Sequence, residues 1–167
     1  MEGFDHILNW RLLRGSHEFP GKDGGTCVNE AALIAAGFDY RRICNVTQVP
    51  SCFSRPVCEF AMFLNDQASN EERQRLLPFV MRLACADTNE VEQKRQRYIS
   101  SKTTRFRSIS DGIEILECAL AIGRQADSLA LPLVEERMSA AREKASGTTS
   151  KPSKPLLATV KNLLNAL

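Results

Sequence analysis

Histidine is scarce in this sequence, with two among 167 residues, and the six cysteines contain no C-x-x-C pair. Both absences weigh against a zinc site, whose ligands are usually closely spaced cysteines and histidines. Cys44, Cys52 and Cys58 are separated by seven and five residues. Only a convergence of Cys27, Cys44, Cys52 and His17 in space would make a metal centre, so no metal ligand and no cofactor is assigned. Six cysteines are also too few for a disulfide scaffold in a chain of this length. Several stand among apolar neighbours, where a free thiol behaves as a small hydrophobe; a reduced, cytoplasmic protein is the expectation. No window is apolar over the length of a membrane span. The first residues, MEGFDHILNWRLL, have neither a basic start nor a long apolar run, so neither a span nor a secretory leader is expected. Net charge is only +2, so any attraction to nucleic acid must be local.

What is present suits one domain. A hydrophobic share of 43% is enough for a core without metal or disulfides. The pattern predicts an all-α or mainly α fold over residues 1–145, a polar linker at 146–155 and an amphipathic helix at 156–167. Residues 1–13 read as an irregular arm. Thr26 is a candidate helix cap and Gly37 a terminator, with a buried apolar helix between them. A short strand is expected around Tyr40–Val46. Pro56 in a first turn and the stripe Val57, Phe60, Ala61, Leu64 predict a helix from Ser54. Ser69 to Glu72 reads as a capping box, and the helix it opens should kink or restart at Pro78. Asp87 to Glu90 reads as a second box, opening a polar helix to about Tyr98 that turns Val91, Tyr98 and Ile99 inward. A last long helix starts around Ser110, with Ile113, Leu116, Leu120 and Ala121 on one side. It should run to about Lys144, interrupted at Pro132.

The stretch from Arg14 to Tyr40 concentrates the most chemistry. Gly15, Pro20, Gly21, Gly24 and Gly25 favour tight turns, and His17, Asp23, Thr26, Cys27, Asn29 and Glu30 lie among or just after them. Glycines ahead of a helix start leave N–H groups for an anion, with Lys22 nearby. PGKDGGT is nevertheless not a P-loop, because its lysine precedes the paired glycines. A thiol enzyme is the other chemical reading: Cys27 at a helix start as nucleophile, His17 as base, Asp23 orienting it. Against it, triads are assembled by a fold rather than by nearness in sequence. A purely structural turn competes with both.

The segments HEFPGKDGGTCVNEAALIAAGF, CFSRP, LND, RQRLLPFVMRLA and ADT resemble a group of short uncharacterised bacterial proteins, over about residues 10–100. That resemblance implies a bacterial source and carries no activity or site residue with it.

Two further features point outward. Residues 93–108 hold Lys94, Arg95, Arg97, Lys102, Arg105 and Arg107 with no acid, so the rest of the chain is net −4. Tyr98 and Phe106 are interleaved and could stack on bases; an acidic protein surface is the alternative partner, and a solvated helix face the plain one. Beyond the linker, Leu156, Leu157, Val160, Leu163 and Leu164 share one apolar face. Burying it gains about what ordering it costs, so this helix should form only when docked, on its own domain, on a partner or on a second copy. The favoured function is non-enzymatic: a bacterial binding or regulatory protein using the basic segment and the tail helix. Nucleic-acid binding and the thiol enzyme are its competitors.

Overall fold

Helices in this chain begin where a short polar side chain can take up a free backbone N–H. A computed structural model describes residues 11–18, 25–104 and 106–145. Seven α-helices occur among them: α1 Val28–Ala35, α2 Arg55–Gln67, α3 Asn70–Arg73, α4 Leu77–Val80, α5 Asn89–Thr103, α6 Ile109–Leu120 and α7 Leu131–Ala145. The described fold is mainly α, as the apolar periodicity predicts. The linker at 146–155 and the tail residues Leu156, Leu157, Val160, Leu163 and Leu164 lie outside the described residues, as do Asp23 and Arg105.

All eight residues of α1 are buried. It packs against α2, α4 and α7, while α2, α5 and α6 pack against one another. The two groups share one core that runs from Leu12 and Leu33 through Leu64 and Leu76 to Leu116 and Leu120. Where α6 crosses α2 the approach is close: a Cβ on Gly112 would stand 2.4 Å from Leu64 Cδ2 and 2.8 Å from Phe106 Cε2.

Several boundaries follow their sequence signals. Pro56 stands in the first turn of α2, Ser69 and Glu72 form a reciprocal capping box, and Gly37 takes φ +87° just past α1. The chain does restart at Pro78, through a 3-10 turn at Gln74–Leu76 into α4. Helix α4 ends at Val80, and Leu83 lies in non-helical backbone.

Other boundaries differ, each for a local reason. Cys27 caps α1 in place of Thr26: its Sγ accepts from Glu30 N at 3.5 Å while Glu30 returns a bond to Cys27 N. The Tyr40–Val46 strand is absent. The Ile43 N–H is taken by Glu30 and those of Cys44 and Asn45 by Gln48 Oε1, which leads into a 3-10 turn at Val46–Gln48. Thr88, not Asp87, caps α5, which runs five residues past Tyr98. The reciprocal half of a box is missing, because with Thr88 as the cap the third helical residue is Val91, which has no acceptor, and Glu90 pairs instead with Lys94. Ser108 caps α6, whose buried side is Ile115, Leu116, Ala119 and Leu120, with Ala121 exposed. The expected long last helix is two helices. Gly123, at φ +74°, lies in the break between them. Pro132 falls in the first turn of α7, where a missing N–H costs nothing.

Candidate functional site

The turn-rich stretch is organised by Glu30, which is fully buried. Its Oε1 accepts from Ile43 N at 3.0 Å and from His17 N at 3.1 Å. Its Oε2 accepts from Cys27 N at 2.9 Å. Three distant stretches of backbone thus end on one carboxylate, and charge-assisted bonds of this kind are the stronger ones. Tyr40 adds a strap by donating its hydroxyl to His17 O. Burial, then the neighbouring Glu30 charge, raises the Tyr40 phenol above its ordinary range.

Long side chains from the helices hold the arm in the same way. Asn65 Nδ2 donates to Leu13 O at 2.9 Å, Asp66 Oδ1 accepts from Gly15 N at 2.8 Å, and Gln74 both accepts from Leu12 N and donates to Leu12 O. A single parallel bridge joins Leu12 to Thr26. Arg73 caps the end of α2 by donating to the carbonyls of Asn65 and Ala68. These residues carry no motif, and their role is visible only once the arm is in place. Glu30 had a signal: Cys27-x-x-Glu30 has capping-box spacing, with a thiol standing where serine or threonine is usual.

This arrangement removes the premise of the thiol-enzyme reading. Cys27 is 1% exposed, and burial together with the nearby Glu30 carboxylate pushes its thiol well above the ordinary range, not below it. A reactive cysteine needs the opposite environment. His17 is held through its backbone, and its Nδ1 is buried without a partner. Among the described residues no three or more histidine, cysteine, aspartate or glutamate side chains are grouped to hold a metal. Cys27 and Cys58 are buried in the core, whereas Cys44 and Cys52 are exposed.

The basic segment divides between interior and surface. Arg95 has no exposure at all: it donates to the carbonyls of Cys85, Ile122 and Arg124 and pairs with Glu92 at 2.7 Å. It is a structural clamp between the start of α5 and the α6–α7 connection, and it leaves the set of candidate contact residues. A helix position one turn from Ile99 faces the core whatever its charge. Lys94 pairs with Glu90 at 2.8 Å on the outside, and Arg97, Lys102 and Arg107 are exposed. The aromatic partners are engaged. Lys102 stands 5.8 Å over the Tyr98 ring, and Phe106 meets Phe63 edge-on at 5.7 Å. The neighbouring Cys118 side chain, and then burial, push the Tyr98 phenol up to about 12.

Next to this face a groove of about 530 Å³ opens between α2 and α5. Phe60, Phe63 and Ile99 give its lining an apolar part, and Ser100, Thr103, Thr104 and the single charged residue Glu59 a polar one. Phe63 is 39% exposed, although it stacks on Phe60 at 6.1 Å. Arg97, three residues before Ser100 and seven before Thr104, shares their side of the helix.

No family model, no curated protein and no solved structure gives a significant match to the chain. No helix among the described residues is long and apolar enough to cross a membrane.

Proposed function

We propose that the chain is a non-enzymatic bacterial binding protein acting in the cytoplasm, and that its contact surface is the exposed side of α5 together with the α2–α5 groove. The observation that supports this most is Phe63, a large aromatic side chain left partly bare in the lining of the α2–α5 groove. Such a surface fits a protein segment that presents one apolar anchor next to acidic side chains, with the groove burying the anchor and the cations setting orientation. The apolar side of residues 156–167 is the second surface in this reading.

Nucleic acid is the other reading, favoured by Arg97, Lys102 and Arg107 on the outside. Three phosphate contacts would give a slope of log affinity against log salt of roughly −2 to −3. The engaged rings of Tyr98 and Phe106 argue for the protein partner instead. The test is retention of host proteins by the intact chain, compared among the parent, Phe63→Ser and Arg97→Glu, with and without nuclease. Loss in both variants with nuclease resistance supports the groove. Loss on nuclease treatment transfers the reading to nucleic acid, and retention by both variants removes the surface from consideration.

A further inference from the structure

A second groove, of about 350 Å³, lies between α4 and the first turns of α7, and its lining is almost wholly apolar: Leu77, Pro78, Val80 and Met81 on one side, Leu131 and Val134 on the other. Leu131 in this lining is 58% exposed, the barest large aliphatic side chain among the described residues. Surface of this kind on a small domain calls for a cover. The one charged residue in the lining is Glu135.

The same chain carries a matching cover. In sequence, residues 156–167 space Leu156, Leu157, Val160, Leu163, Leu164 and Leu167 for one face of a helix and carry a single charged side chain, Lys161, opposite in sign to Glu135. A helix of this length is marginal alone in water. The connection also fits. From Ala145 back along α7 to Glu135 is ten residues, about 15 Å, and to Leu131 about 21 Å. A ten-residue polar linker such as 146–155 has a root-mean-square span of about 16–19 Å. The tail would run about 18 Å as a helix, comparable with α7 itself. A tether of matching span raises the local concentration of the tail to the millimolar range, enough to close a contact too weak to form between separate molecules.

We propose that residues 156–167 dock as a helix in cis in the α4–α7 groove, with Lys161 toward Glu135, when no partner holds them. The proposal is independent of the α2–α5 surface.

Hydrogen exchange on the full-length chain tests it, with the parent, a tail variant Val160→Asp/Leu164→Asp and a groove variant Leu131→Asp, each at two concentrations a decade apart. Both variants alter exposed or tail positions, so the domain stays folded. The expected result is reciprocal. The tail variant speeds exchange in 77–81 and 131–135, and Leu131→Asp speeds exchange in 156–167. Each change is about tenfold or more, equivalent to about 1.4 kcal/mol, and independent of concentration. Tail amides exchanging at coil rates in the parent would overturn the proposal. So would protection that vanishes on dilution, which makes the occupant a second copy, or groove peptides that ignore the tail variant.

Discussion

Replacing Glu30 by glutamine keeps the shape of the side chain and removes its charge, which isolates the worth of the carboxylate at the centre of the N-terminal turns. In the parent, one oxygen receives Ile43 N and His17 N and the other receives Cys27 N. A carboxamide supplies one acceptor and one donor, so whichever way it turns, its NH₂ faces a buried backbone N–H. The loss is at least one charge-assisted bond, about 1.5–3 kcal/mol, plus a buried donor left unpaired, about 1–3 kcal/mol. Relief from burying a charge offsets part of that, and we expect a net destabilisation of about 3 kcal/mol. In urea unfolding followed by circular dichroism, with a slope of about 2 kcal/mol/M, the midpoint falls by about 1.5 M. Native-state exchange at His17, Cys27 and Ile43 should rise more than at Leu116, because the arm opens before the core does. A midpoint within error of the parent would refute the reasoning. A higher midpoint would do more: a carboxylate kept at a cost to stability is the mark of a working group, and Glu30 would become a candidate reactive residue.

Three further outcomes follow from the same geometry. Arg95→Ala strands the carbonyls of Cys85, Ile122 and Arg124 and leaves Glu92 without its cation. It should cost about 3–5 kcal/mol, whereas Arg97→Ala on the exposed side changes the urea midpoint little. In a native thiol titration Cys44, Cys52 and Cys118 react promptly, and Cys27, Cys58 and Cys85 only on unfolding; a fourth fast thiol assigned to Cys27 would contradict its burial. Asp87 is held below the usual carboxylate range by N–H bonds from Arg124 and Thr88. Its folded-state pKa is thus the lower one, so its contribution to stability is complete above the unfolded carboxylate pKa and is lost as pH falls through the folded value. The urea midpoints of parent and Asp87→Ala should differ at neutral pH and converge in acid; a gap that persists in acid would assign Asp87 another role.

Much of the helix plan was legible because capping and periodicity are local. Pro56, Ser69 with Glu72, and Gly37 act on backbone within a turn of themselves, and the structure uses each as the sequence suggests. The misreadings share a different cause, a partner far along the chain. The 40–46 segment has strand-like residues, yet its amides answer to Glu30 and Gln48 rather than to another strand. Arg95 reads as surface charge until the carbonyls of the α6–α7 connection close around it. Cys27 has the position of an activated thiol, but its environment is set by Glu30 and the core.

The way the arm is held also orders events in time. Leu12 meets Gln74, Leu13 meets Asn65 and Gly15 meets Asp66, at sequence separations of 62, 52 and 51 residues. The anchoring side chains project from α2 and from the turn that follows α3, so their anchor points come into being only after those helices have packed. Contacts of such long range incur their closure entropy before they return anything. The Leu12–Gly15 stretch therefore docks last in folding and detaches first under stress, and a protease would gain an early foothold there.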